Sequence, residues 1–186
     1  VVREAFKASG HDAWSCDLLP SEIPGEHIQG DVLGALGEGW DLMIAHPPCT
    51  YLSNSGVSWL HKQPGRRDLM TCAARFFRAL WLAPIARICI ENPIMHKHAK
   101  AIIGESQTQV VQPWQHGHKE QKSTCLWLKN LPKLEETKNV KSEMLKLPKN
   151  IRQRLHYLPP SKNRARVRSL TYPGIARAMA KQWGCF

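Results

Sequence analysis

Two short apolar runs most constrain this chain: Leu42-Met43-Ile44-Ala45, stopped by His46-Pro47-Pro48-Cys49, and residues 85–90, closing on Glu91-Asn92-Pro93. Between them, residues 68–82 place Leu69, Cys72, Ala73, Phe76, Phe77 and Leu80 at helical spacing, and Pro84 ends the pattern. Continuous apolar runs suit strands buried on both faces, as in a parallel sheet. Two prolines cannot continue a central strand, so residues 46–50 form the loop at its carboxyl end. Strand, loop, helix and strand in succession predict βαβ units, hence an α/β fold with a doubly wound, mostly parallel sheet and helices on both faces.

The remaining elements follow the same reading. Residues 1–10 begin as a helix that Gly10 stops. Residues 11–18 and 27–32 read as short strands around a polar loop at 21–26. Residues 96–103 predict a helix stopped by Gly104, 108–113 and 123–128 predict strands, and 171–183 predict a final helix. Residues 131–168 are polar, basic and proline-punctuated, with no clear period. The whole reads as one domain over 1–186. Residues 1–128 form the core, 129–170 a basic segment, and 171–186 a terminal helix returning to that core.

Charge narrows the partner. Against 15 Asp and Glu stand 26 Lys and Arg, a formal net charge of +11, which points to a polyanion, nucleic acid first. Arg152, Arg154, Lys162, Arg164, Arg166 and Arg168 crowd one tract with His156 and Tyr157 among them, the candidate phosphate contacts. No apolar run approaches the about 18 residues of a membrane span. The six cysteines form no C-x-x-C pair and have irregular spacing, which predicts a reducing, cytoplasmic setting rather than a disulfide framework. His96-x-His98 and His116-x-His118 lack the paired cysteines of a structural zinc site and read as surface histidines. Tyr51, Trp59 and Ser53-Asn54-Ser55-Gly56 read either as groups that stack on a base or fill its gap or as core, with core the reading for Trp59; Trp14, Trp81, Trp114 and Trp127 read as packing.

In a doubly wound sheet, ligands sit at the carboxyl ends of the strands. That rim would carry Asp17, Asp31, the Pro47-Pro48-Cys49 loop and Glu91-Asn92-Pro93. Cys49, on a proline-stiffened turn, has the setting of a nucleophile. Glu91, at the edge of a buried strand, is expected to be desolvated, which would raise its pKa and let it donate a proton near neutrality. A thiolate that adds to C6 of a pyrimidine, with Glu91 engaging N3, makes C5 a carbon nucleophile.

These residues resemble the DNA cytosine-5 methyltransferases, in particular their small phage-type members. Ala45-His46-Pro47-Pro48-Cys49-Thr50 is similar to the family's Pro-Cys nucleophile loop. Ile90-Glu91-Asn92-Pro93 is similar to its Glu-Asn-Val element, with Pro in place of Val. Phe76-Phe77-Arg78-Ala79-Leu80 resembles part of the intervening helix, and Tyr172-Pro173-Gly174-Ile175-Ala176 loosely resembles the last helix. Gly30-Asp31-Val32 is similar to the segment that contacts the adenine of S-adenosylmethionine, and Asp17 stands where an acidic residue holds the ribose. The resemblance implies a Rossmann-like methyltransferase fold, S-adenosyl-L-methionine as cofactor, and DNA as substrate, in the cytoplasm of a bacterial host. It implies that Cys49 attacks C6, Glu91 engages N3 and the exocyclic amine, Asn92 holds the loop, Asp17 and Asp31 bind the cofactor, and Pro47 and Pro48 shape the pocket. It covers most of residues 1–128. The family's Gly-rich cofactor loop has no counterpart here, the Gln-x-Arg-x-Arg element is not clear, although 117–124 stand in its place, and residues 130–170 are short for a target-recognition domain. Duplex DNA, single strands and a free nucleotide all stay open, as do an amino-methyltransferase, a thymidylate synthase-like enzyme and a non-catalytic DNA-binding module.

Overall fold

The computed structural model describes residues 1–185. Helix α1 (Val2–Ala8) leads to β1 (Ser15–Asp17), β2 (His27–Gln29), the short α2 (Val32–Ala35) and β3 (Leu42–Ala45). A 3-10 turn (Asn54–Leu60) precedes α3 (Arg66–Trp81), β4 (Arg87–Asn92) and α4 (Lys97–Ile103). Then come β5 (Gln109–Val111), a 3-10 turn (Pro113–Gln115), β6 (Thr124–Lys129), α5 (Lys141–Leu145), α6 (Lys149–Arg152), α7 (Arg164–Ser169) and α8 (Pro173–Trp183).

The fold is mixed α/β, but the expected doubly wound, mostly parallel sheet does not form. Two small sheets are present: a parallel pair β1-β2, and a four-stranded sheet in the order β3-β4-β6-β5. In the larger sheet only β3 and β4 are parallel, and β6 runs antiparallel to both β4 and β5. The reason lies in the connections. A parallel return needs a crossover of a dozen or more residues, usually helical. The β5–β6 connection contains no α-helix, only the Pro113–Gln115 turn, so the chain folds back beside itself. Strand β3 is also not buried on both faces. It is a sheet edge, half-buried throughout, whereas β4 is central and almost wholly buried.

Alternation along β4 divides the core. Ile88 and Ile90 pack with Trp127, Cys125 and the inner face of α3 and α4, through Met70, Ala74, Phe77, Leu80, Ala99 and Ile103. Cys89, between the two isoleucines, joins Leu126 and Leu128 on the other face with Phe6 of α1 and Ile175, Met179 and Trp183 of α8. Helices therefore cover both faces. Phe77 and Trp127, both inaccessible, meet edge to face at 5.1 Å between ring centres. The basic 129–170 tract is anchored to the second face by Leu134 and Leu155, with Leu131, Leu158 and Val167 beside them. Its helices are four to six residues long, too short to show a period in sequence.

The β1-β2 pair is tied to α1 by one buried arginine. Arg3 donates to the carbonyls of Ile23 (2.8 Å), Pro24 (3.0 Å) and Glu26 (3.0 Å) and to Ser15 Oγ (3.0 Å). Gly25 has φ +132°, and a Cβ there would lie 3.2 Å from the Arg3 guanidinium. The polar 21–26 loop is thus a receptor for this side chain. No described helix is long and apolar enough to cross a membrane, and the six cysteines are free thiols.

Truncating Phe77 to Ala should destabilise the protein by about 3–5 kcal/mol, the range for a large buried aromatic, as measured by urea unfolding. A loss under about 1 kcal/mol would show that the α3–sheet interface is not the main core.

Candidate functional site

The site begins with register. In the β3–β4 pair Ala45 lies opposite Ile90. The next residues, His46 and Pro47, continue beside Glu91 and Asn92. His46 Nδ1 donates to Glu91 Oε2 at 3.0 Å, and Asn92 Nδ2 donates to the Pro47 carbonyl at 3.0 Å in a buried position. A carboxylate only accepts, so His46 Nδ1 carries the hydrogen. Pro47 is buried and Pro48 exposed. Two residues past the tether, half-buried Cys49 turns the chain, its carbonyl accepting from Leu52 N (3.1 Å) and Ser53 N (2.9 Å). The Pro-Cys loop is thereby held to the end of the strand that carries Glu91 and Asn92. Asn92 Oδ1 is buried with no hydrogen-bond partner, which marks an acceptor left over at this junction.

Glu91 departs from expectation. Burial pushes its pKa up, as anticipated, but the His46 hydrogen bond and charge, the Lys122 ammonium and the Thr171 hydroxyl pull it further down, so the net shift is downward. Its side chain is 11% exposed. Glu91 is a carboxylate at neutral pH in the free protein, not a poised acid. Three neighbours responsible went unassigned in the sequence: His46, Lys122 and Thr171. Thr171, just before α8, reaches Glu91 at 3.5 Å, and Lys122 donates to the Arg168 carbonyl at 3.0 Å while lying 5.8 Å from the Tyr172 ring centre. Only the position of His46, one residue past β3 and opposite Glu91, offered a sequence signal.

The two proposed cofactor carboxylates sit at the carboxyl ends of the other parallel pair. Asp17 ends β1, and Oδ1 accepts from Leu19 N at 2.9 Å; Asp31 follows β2 and caps α2, accepting from Leu33 N at 3.0 Å. Both are exposed. They lie on a sheet separate from the one carrying Cys49 and Glu91.

Most of the basic tract is already engaged. Arg154 pairs with Glu120 (3.1 Å), Arg166 forms a two-pronged pair with Glu22, Arg164 donates to the Leu158 carbonyl (2.9 Å), and Arg168 donates to that of Leu155 (3.3 Å). Arg152 Nε is buried with no partner, and Lys162 is exposed and in none of the ion pairs found among the described residues. Two of the six, Arg154 and Arg166, therefore fasten the segment to the body, and two more, Arg164 and Arg168, brace it internally.

Other expectations are corrected. His96 and His116 are buried rather than superficial: His96 caps α4, accepting from Ala99 N at 3.1 Å, and His116 meets Thr137 Oγ1 at 3.1 Å. Among the described residues no group of three His, Cys, Asp or Glu is arranged to hold a metal. Trp59 is 53% exposed and Trp14 43%, so neither is core, whereas Trp127 is. Tyr51, after Cys49, lies under the Arg66 guanidinium at 4.7 Å. No protein-family model matches the chain, and no curated protein matches it.

Two outcomes test this geometry. Asn92→Ala leaves the buried Pro47 carbonyl unpartnered and should cost about 1–3 kcal/mol, read by denaturant unfolding. A cost near zero would mean the loop does not depend on the tether. A depressed carboxylate pKa stabilises the fold above the ordinary carboxylate range, and that stabilisation is lost as pH falls through the folded-state value. His46→Ala should therefore destabilise more at pH 7 than at pH 3, and Glu91 should titrate at higher pH by carboxyl NMR. Equal destabilisation at both pH values would contradict the assignment.

Proposed function

We propose that the protein transfers a methyl group from S-adenosyl-L-methionine to C5 of cytosine in DNA, with Cys49 as the nucleophile. The observation that carries this reading is the tether that holds the Cys49 loop against the Glu91-Asn92 end of β4: Asn92 to the Pro47 carbonyl, with His46 to Glu91 beside it. The resemblance of both segments to the methyltransferase motifs supports it, as does the net charge of +11.

In this reading Cys49, its thiol proton passed to water, bonds to C6 as the thiolate, and the C5–C6 π pair moves to C5, where it forms the bond to the methyl carbon. Glu91 holds the base edge. As a carboxylate it accepts from the exocyclic amine with one oxygen, while the proton required at N3 is relayed by the other from the imidazolium form of His46, whose Nδ1–H already meets this carboxylate, leaving a neutral imidazole. Once C5 carries the methyl group, a water takes the C5 proton, the freed pair re-forms the C5–C6 double bond, Cys49 leaves as the thiolate, and N3 returns its proton through Glu91 to His46. A base stacked in a duplex must be flipped out first, at roughly a few kcal/mol. Exposed Trp59 and half-buried Tyr51, both after Cys49 in sequence, are suited to filling the gap or stacking on the base.

The residues present suit part of the cofactor. Each of the exposed carboxylates Asp17 and Asp31 spends one oxygen on a backbone N–H and keeps the other as an acceptor for a ribose hydroxyl or an adenine amine. Gly30, beside them, borders open space. Bound there, S-adenosylmethionine would supply an electrophilic methyl carbon on a sulfonium. The Rossmann-like fold belongs to this proposal too, since both β1-β2 and β3-β4 are parallel pairs with these side chains at their carboxyl ends.

The test uses labelled S-adenosylmethionine with cytosine-containing DNA, in single-stranded and duplex form. Cys49→Ala should abolish methyl transfer. Asp17→Asn should raise the cofactor KM by about tenfold, the loss of one charge-assisted hydrogen bond of roughly 1.4 kcal/mol. Transfer undiminished in Cys49→Ala would overturn the mechanism and favour methylation of an amino group, which needs no thiol.

A further inference from the structure

A second concave site lies away from Cys49 and Glu91 and plays no part in the chemistry above. Its volume is ≈ 380 Å³, and its lining includes His116, His118, Thr137, Lys138, Arg177 and Lys181. Three cationic side chains converge on it and no carboxylate lines it. Arg177 and Lys181 are four residues apart on α8, so they leave the helix from one face. Lys138 comes from the opposite wall, where the Gly117 N–H donates to the Lys138 carbonyl (2.8 Å) and the Lys138 N–H to that of Gln115 (3.1 Å).

The site is built rather than incidental. Gly174 of α8 donates its N–H to His118 Nε2 at 2.9 Å, which fixes that nitrogen as an acceptor and leaves Nδ1 to carry the hydrogen. A Cβ at Gly174 would collide with the His116 carbonyl oxygen and come within 2.8 Å of His118 Nε2, so the wall and the helix meet as closely as backbones can. The neighbouring acids are occupied elsewhere. Glu120 is held by Arg154 (3.1 Å) and Tyr172 OH (2.8 Å), Glu136 by Gln115 (2.8 Å) and Asn139 (2.7 Å), and Glu143 by Lys119 (2.6 Å). Among the described residues none of the ion pairs includes Lys138, Arg177 or Lys181. Burial, and after it the Arg177 charge, hold the His118 pKa below its ordinary range. A concave wall of like charges is self-repelling until an anion enters it.

We propose that this pocket binds a phosphate group, with Arg177, Lys181 and Lys138 as its counter-charges. The planar Arg177 fork suits two oxygens of a tetrahedral oxyanion, and the two lysines supply point charge on either side. The group is carried either by a polynucleotide backbone or by a free mononucleotide, and the site is independent of whether Cys49 is a nucleophile.

The test is an amide NMR titration of the full chain with three probes: inorganic phosphate, a single-stranded oligonucleotide, and the same oligonucleotide with a neutral methylphosphonate backbone. Phosphate should give saturable shifts at Gly117, Gly174 and Arg177. Arg177→Gln with Lys181→Gln should weaken it at least tenfold, while the control Lys146→Gln leaves it unchanged. Both replaced residues are exposed, so the double variant should keep its unfolding midpoint. If the backbone is the source, the native oligonucleotide shifts the same amides and the neutral one does not. The salt slope of binding then falls by about 1.4 in the double variant, roughly 0.7 per single-strand phosphate contact. Shifts with inorganic phosphate alone identify a mononucleotide phosphate. Absence of saturable shifts at these amides with any phosphate probe, or equal affinity of double variant and wild type, overturns the proposal.

Discussion

The parallel pairing of β3 with β4 is the constraint from which the candidate site follows. With Ala45 opposite Ile90, the chain leaving β3 must run beside Glu91 and Asn92. A slip of one residue would turn each of these two side chains to the face it does not now occupy. The pairing is held from both sides by the core: Ile88 and Ile90 toward α3 and α4, Cys89 toward α1 and α8. Two prolines then deny the chain any further ladder bonds, and the Asn92–Pro47 hydrogen bond replaces them. Everything that makes Cys49 a candidate nucleophile is downstream of that register.

Electrostatics give the site its character. Burial alone would push the Glu91 pKa up. Three donors or cations from separate parts of the chain reverse the sign: His46 after β3, Lys122 before β6 and Thr171 before α8. The carboxylate is thus a joint where the N-terminal and C-terminal parts of the fold meet. Its shorter hydrogen bond is to His46, 3.0 Å against 3.5 Å to Thr171, with the hydrogen on the histidine side.

Much of this was legible in the sequence where the signal is local. The apolar runs of β3 and β4, the period of α3 and the Gly104 stop of α4 need only neighbouring residues to be read, and the structure places elements there. The direction of β6 was not legible, because it depends on which strand it meets after a connection without an α-helix. The shift on Glu91 was not legible either: Lys122 and Thr171 are distant in sequence, and the sign rests on a balance between burial and charge. The basic tract shows the same limit. The expectation of a polyanionic partner rests on its composition, but Arg166 is paired with Glu22, 144 residues away, a contact no composition reveals.

The central claim, a thiol and a carboxylate acting on one pyrimidine, is tested most directly by a reaction that needs no cofactor. Addition of Cys49 to C6 makes C5 basic, so the cytosine C5 hydrogen of an oligonucleotide should exchange with deuterium when the protein is present in heavy water, as followed by proton NMR. The account predicts exchange with the wild-type chain, none with Cys49→Ala, and slowed exchange with Glu91→Gln. Exchange that persists in Cys49→Ala, or its absence in the wild type with bound oligonucleotide, would contradict it.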